Sequence, residues 1–103
     1  MDAQAVSRLI ANDLRANPTF NNPHGVDVPV CLVVPELLEF EDSFRKGEFL
    51  SLWLVLKESP TERDGYLIVY DEASDMFGLA VYGKDRPVFI GFYSSFTKTL
   101  SSM

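Results

Sequence analysis

From Phe49 onward the side chains follow a period of two, with aliphatic residues at one set of alternate positions and aromatic or small residues prominent at the other, which is the pattern of β-strands. Four runs show it, at residues 49–57, 66–71, 76–82 and 88–93. The intervening segments SPTERDG, EASD and GKDRP are rich in residues that form turns. Because short connections join antiparallel neighbours, these runs predict an antiparallel meander sheet.

The first part of the chain has the helical period instead. The apolar positions of residues 2–17 fall on one side of a helix: Val6, Leu9, Ile10 and Leu14. Asn17 precedes Pro18, and a residue before proline is pushed out of the helical region, so we expect the helix to end there. Residues 18–29 contain three prolines and a glycine and predict a long connecting loop.

The middle of the chain predicts a short strand followed by a second helix. The apolar run VCLVV at residues 30–34 is typical of a buried strand, which would be the fifth of the sheet. Residues 35–46 carry helix signals: proline and glutamate at the start, two cations in the last turn, and Gly47 directly after it. The apolar stripe of this helix would be Leu37, Phe40 and Phe44.

The C-terminal tail predicts a short final helix. Ser94 or Ser95 can cap its first turn. The apolar residues that follow have helical spacing: Phe96, Leu100 and Met103. The chain as a whole is therefore predicted to be one small α+β domain over residues 1–103. Helices at the N-terminus, near 35–46 and at the C-terminus would pack on a sheet of four or five strands.

Alternate side chains of a strand point to opposite faces of a sheet, so the strand residues sort into two sets. One set is mainly aliphatic and predicts the core beneath the helices: Leu50, Leu52, Leu54, Leu56, Leu67, Val69, Phe77, Leu79, Val81, Val88, Ile90 and Phe92. The other set is rich in aromatic residues, of which the largest are Trp53, Tyr66, Tyr70, Tyr82 and Tyr93.

A sheet face that is exposed only to water is normally polar, so we expect other protein segments to cover part of this aromatic set. The chain's own terminal helix or the loop at 18–29 would suffice. A second copy of the chain or another partner is the alternative, because Trp and Tyr suit interfaces, and Trp53, Tyr70 and Tyr82 would then be the anchors. Base stacking on these rings would need positive charge nearby, which the sequence does not provide.

Charge narrows the choice of partner. The net charge is -6, and residues 27–75 hold 12 acidic but only 4 basic side chains. This balance disfavours binding to nucleic acids and to anionic membranes, since both attract Lys and Arg. Net negative charge also keeps a small protein in solution. With one cysteine, no signal-like N-terminus and no apolar run long enough to cross a bilayer, the expected location is the cytoplasm.

Candidate catalytic and metal-binding residues are few. The acidic run Asp71–Asp75 lacks the spacing of a calcium loop and predicts a hairpin turn. His24 lies in the proline-rich loop with no companion motif, so an exposed loop residue is expected. Cys31 lies among aliphatic residues, which predicts a buried, unreactive thiol. No phosphate-binding, nucleophile or metal-ligand motif is present, so we expect no enzymatic activity, no cofactor and no metal.

These observations favour a protein-binding module that presents acidic residues to a basic partner. The predicted binding residues are Glu36, Glu39, Glu41, Asp42, Asp71, Glu72 and Asp75. A small inhibitor or immunity-type protein would be the concrete form, since such proteins share this size, acidity and α+β layout. The alternative is a homodimeric structural protein or a small-ligand binder that uses the aromatic sheet face.

Overall fold

The computed structural model describes residues 1–103 and contains three helices and five strands. Their order is α1 Ala3–Ala16, α2 Val28–Cys31, β1 Leu32–Asp42, β2 Phe49–Lys57, β3 Tyr66–Asp71, β4 Met76–Val81, β5 Val88–Ser94 and α3 Phe96–Ser101. The predicted α+β class, the five-stranded antiparallel meander and the two terminal helices are confirmed. None of the helices is long and apolar enough to cross a lipid bilayer.

The two terminal helices begin with side-chain caps. The Asp2 carboxylate accepts a hydrogen bond from the Ala5 amide at 2.9 Å and starts α1. Ser95 Oγ accepts one from the Lys98 amide at 3.1 Å and starts α3. Each cap satisfies an amide that has no partner within the helix, which stabilises a helix end by about 1 kcal/mol. Helix α1 ends at Ala16 with Asn17 as its C-cap, in agreement with the end predicted from the following proline.

The predicted helix at residues 35–46 is wrong, because most of this segment is the long strand β1. Its partner is β2, with Leu38 opposite Leu52 and Phe40 opposite Leu50. Leu38 and Phe40 also satisfy a period of two, so the same residues fit both patterns. Pairing with β2 in this register places Phe40 in the buried cluster inside the sheet. Gly47 lies in the hairpin turn with a φ of 84° rather than ending a helix.

The predicted boundaries around this segment also shift. The strand expected at 30–34 begins only at Leu32, because the short helix α2 precedes it. Pro35, which lacks a backbone donor, lies where the register between β1 and β2 shifts. The other predicted strands agree with β2 to β5 to within one residue.

The sheet closes on itself through its first and last strands. The meander order runs from β1 to β5, and β1 then pairs with β5 in parallel, with Glu41 opposite Val88 and Asp42 opposite Phe89. The Glu41 amide donates to the Pro87 carbonyl at 2.9 Å, and the Ser43 amide donates to the Phe89 carbonyl at 3.2 Å. The sheet is therefore closed by only two residue pairs between β1 and β5, which are called the seam.

Closure gives the molecule two hydrophobic clusters, one on each face of the sheet. The cluster inside the closed sheet consists of Phe40, Leu52, Leu54, Leu67, Val69, Ala80 and Phe89. The cluster between the sheet and the helices contains residues of α1, α2, α3 and the loop before α2: Val6, Ile10, Val26, Val28, Cys31, Phe96 and Leu100. Its sheet-derived members are Val55, Leu56, Ile68, Tyr70, Phe77 and Leu79.

The predicted division of strand residues between the two faces is therefore wrong in part. The β3–β4 turn sets Ile68 opposite Leu79 and Val69 opposite Gly78, so Phe77 and Leu79 share a face with Tyr70 instead of with Val69. A register shift between Leu54 and Leu56 likewise moves Leu56 to the helix-covered face. A shift of one residue in register exchanges the faces of every residue beyond it.

Candidate functional site

The outer surface of the β1–β2 hairpin combines acidic and exposed apolar side chains. In the antiparallel register, Glu39 lies opposite Ser51 and Glu41 opposite Phe49. Leu37 lies on the same side of β1, and these five residues are called the hairpin face. Leu37 is 52% exposed and Phe49 is 47% exposed. The face lies on the side of the hairpin opposite to the inner cluster, since Leu38 and Phe40 pack inward.

Arg86, from the loop between β4 and β5, borders the hairpin face. Its Nη1 atom lies 3.6 Å from Oε2 of Glu39. Its guanidinium carbon lies 4.7 Å from the centre of the Phe49 ring, within the range of a cation–π contact. Exposed pairs of this kind contribute little to stability, but they orient the ring and the carboxylate. Glu41 has no cation in ion-pair distance.

The four acidic residues of the 35–46 segment are divided between the two sides of β1. Glu36 is exposed but pairs opposite Leu54, on the inward-pointing side of β1. Asp42 is only 9% exposed, and its Oδ1 accepts a hydrogen bond from the Phe44 amide at 2.9 Å. Asp42 therefore shapes the hairpin turn. Because side chains alternate along a strand, only Glu39 and Glu41 lie on the hairpin face.

The acidic residues of the β3–β4 turn are engaged within the chain, and the predicted turn is confirmed. Asp71 accepts hydrogen bonds from the Ala73 amide at 3.2 Å and the Ser74 hydroxyl at 2.8 Å. Glu72 lies 3.6 Å from the N-terminal amine. Asp75 accepts from the Tyr70 hydroxyl at 2.6 Å. These contacts organise the turn, as Asp and Ser side chains commonly do.

The aromatic residues predicted to share one face are divided between several environments. Tyr70 is buried, and Trp53 and Tyr66 pack half-buried against the helix-covered cluster. Tyr82 packs against the inner cluster, on the other side of the sheet. Tyr93 is exposed. The chain's own helices and loop thus cover the part of the aromatic face that includes Tyr70, which leaves that residue unavailable as an interface anchor.

His24 and Cys31 meet around Glu58, a residue that no motif in the sequence marks. His24 Nδ1 lies 2.6 Å from Glu58 Oε2, while Glu58 Oε1 accepts a hydrogen bond from the Tyr66 amide at 2.9 Å. The Cys31 thiol donates to the Glu58 carbonyl oxygen at 3.6 Å. No local pattern reveals this cluster, since 34 residues separate His24 from Glu58.

This cluster does not provide an activated nucleophile. Burial raises the pKa of the Cys31 thiol above its ordinary value, and the negative charges of Asp27 and Glu58 act in the same direction. A thiolate attacks carbonyls and disulfides, whereas a thiol with a raised pKa stays protonated at neutral pH. His24 remains exposed in its loop, as predicted, and pairs with a carboxylate. These contacts connect the segment at residues 24–31 to Glu58 and to the start of β3.

A scan against known protein families finds no match to this chain, and searches of curated proteins and of solved structures find none either.

Proposed function

We propose that this chain is a non-enzymatic protein-binding module and that its hairpin face receives a basic partner. The observation that carries the proposal is that exposed Leu37 and Phe49 lie on the same side of the β1–β2 hairpin as the carboxylates of Glu39 and Glu41. An inhibitor or immunity-type protein remains its concrete form.

The apolar residues of the face would provide the binding energy. Single exposed apolar residues are common on protein surfaces, but apolar residues grouped with charged neighbours are typical of interfaces. Burial of apolar surface contributes about 25 cal/mol per Å², and aromatic anchors such as Phe49 account for much of the affinity of known interfaces. The residues lie on paired strands, so little conformational entropy is lost when a partner binds.

The acidic residues would provide steering and selectivity. A net charge of -6 attracts a basic protein over distances of about a Debye length, which is about 10 Å at 0.1 M salt. Arg86 compensates part of the charge of Glu39, whereas Glu41 is free to pair with a cation of the partner. Complementary charges at an interface mainly accelerate association and exclude wrong partners.

The experiment begins with capture of a partner from the native source by the tagged chain at low salt, with elution at high salt. Binding of the purified partner is then measured by surface plasmon resonance for wild type and two double variants. Glu39→Gln/Glu41→Gln removes two charges from the hairpin face. Glu62→Gln/Asp64→Asn removes two exposed charges from the β2–β3 loop and is the matched control.

We expect the hairpin-face variant to reduce the association rate about tenfold at low salt, and the loop variant to have a much smaller effect. Phe49→Ala should increase the dissociation rate instead, because it removes apolar contact. Equal effects of the two double variants would contradict the proposal, since only net charge would then matter. An association rate independent of salt would also contradict it.

A further inference from the structure

A second surface lies on the other side of the hairpin, in a groove between the β1–β2 turn and β5. The groove has a volume of about 650 Å³. Its apolar lining consists of Phe44, Leu50, Phe89, Ile90, Phe92 and Tyr93. Phe44 stands at its rim, 70% exposed, with its ring centre 6.3 Å from that of Phe89. An exposed aromatic side chain therefore lies directly beside an apolar groove.

The backbone beside the groove favours insertion of side chains over addition of a strand. Strand β5 continues to Ser94, but its pairing with β1 ends at Phe89. In the pairing of β5 with β4, Ile90 and Tyr93 have no partner residue. The part of β5 beyond Phe89 is therefore too irregular to offer a long edge for pairing with another strand. Bulges of this kind disrupt the ladder and protect edges from pairing with another strand.

The charges at the rim fit a second copy of the same chain. Arg45 and Glu48, both exposed in the β1–β2 turn, carry opposite charges 3.7 Å apart. In a two-fold interface, a residue i of one copy contacts a residue j of the other, and the reciprocal contact also forms. A rim that carries one positive and one negative side chain can therefore pair with the same rim of a second copy. The third charged residue of the lining, Asp42, is buried and accepts from the Phe44 amide. The hairpin face, by contrast, would repel a second copy through Glu39 and Glu41.

We propose that the groove is a two-fold interface between two copies of this chain. Phe44 of each copy inserts into the groove of the other, and Arg45 of one copy faces Glu48 of the other. This interface is separate from the hairpin face, so one dimer would present two hairpin faces to partners. The test needs the purified chain alone, and its failure would leave the proposed partner binding untouched.

Sedimentation velocity and light scattering across the micromolar range measure the dimer directly. We expect wild type to dimerise and Phe44→Ala to raise the dimer dissociation constant more than tenfold, because each substitution acts twice in a two-fold interface. Phe49→Ala, on the hairpin face, is the matched control and should leave dimerisation unchanged. Both side chains are exposed, and circular dichroism checks that each variant is folded.

A charge exchange tests the geometry of the interface. Arg45→Glu and Glu48→Arg should each weaken the dimer, because they bring like charges together across the two-fold axis, and the double variant should restore it. A monomeric mass for wild type throughout this range would overturn the proposal. So would a dimer that survives Phe44→Ala, or one lost in Phe49→Ala. Binding of a purified partner that is lost in Phe44→Ala while the chain stays monomeric would assign the groove to that partner.

Discussion

At the scale of single residues, the contact between Tyr70 and Asp75 joins the sheet to its turn. Tyr70 is 2% exposed, and its hydroxyl donates to Asp75 Oδ1 at 2.6 Å. Asp75 adopts a φ of 54°, in the left-handed region that Asp tolerates better than most residues. Burial raises the pKa of Tyr70 well above its ordinary value, and the hydrogen bond to Asp75 and the nearby carboxylates raise it further.

We predict that Tyr70→Phe lowers the free energy of unfolding by about 1.5 kcal/mol at neutral pH, since hydrogen bonds to charged groups contribute about this much. Above pH about 10 the unfolded chain loses the tyrosine proton while the folded chain keeps it, so wild-type stability should fall with rising pH. The variant should show a shallower decline. Urea unfolding at several pH values measures both effects.

Tyr93→Phe is the matched control for this prediction, because it removes the same hydroxyl group from an exposed tyrosine. A Tyr70→Phe variant as stable as the control would show that the short contact with Asp75 contributes nothing to folding.

At the scale of elements, the two terminal helices are joined by one carboxylate. Asp13 of α1 accepts a hydrogen bond from the Thr97 amide in the first turn of α3, at 2.8 Å. The partial positive charge at a helix N-terminus strengthens such a contact. Helix α3 has six residues, too few for independent stability, so it depends on this contact and on its buried side chains. The packing also encloses Phe96 and Leu100.

We predict that Asp13→Ala lowers the free energy of unfolding by about 1 to 2 kcal/mol, because the Thr97 amide loses its acceptor. Asp13→Asn keeps an acceptor oxygen and should cost less. Gln4→Ala, at an exposed position of the same helix, should have almost no effect. Thermal or urea unfolding ranks the three variants, and equal stability of all three would contradict the inferred link between the helices.

At the scale of the whole molecule, the seam between β1 and β5 is the shortest strand pairing of the closed sheet. Two residue pairs join these strands, whereas six pairs join β3 and β4. Segments that are held by few backbone hydrogen bonds can break those bonds locally, without unfolding of the whole molecule. The seam also joins the β1–β2 hairpin to the rest of the sheet, so its opening would move both the hairpin face and the groove.

We predict that the seam amides of Glu41 and Ser43 exchange with deuterium at least tenfold faster than the slowest amides of β3 and β4. Hydrogen exchange followed by NMR measures each amide separately. Mutations that lower global stability should increase the exchange rates of the amides in β3 and β4 more than those of the seam amides. Uniform exchange rates across all five strands would mean that the sheet opens only as a unit.

The contrast between predicted and observed structure shows which signals in this sequence are local. The strands after Phe49, the capped terminal helices and the turn at Asp71–Asp75 depend on nearby residues, and each was predictable. The segment at 35–46 was not, because proline, glutamate and glycine mark a helix there while Leu38 and Phe40 equally fit a strand. Pairing with β2 decided between the two conformations.

The candidate sites were less predictable than the elements. Glu39 and Glu41 were identified by charge alone, but which acidic residues share a face depended on the conformation of β1. The pairing of His24 with Glu58 joins distant parts of the chain, and so does the contact of Arg86 with Glu39. Such contacts leave no periodic trace in the sequence, since they arise only when the strands meet.

The sequence by itself determined the α+β class, the order of the later strands and the excess of acidic residues, because composition and short-range periodicity carry this information. Only the tertiary structure decided that residues 35–42 extend as a strand, that the sheet closes, and that one face lies inward and the other beneath helices. The physical reason is that strand pairing and register are set by contacts between distant residues. A local pattern restricts these contacts without selecting among them.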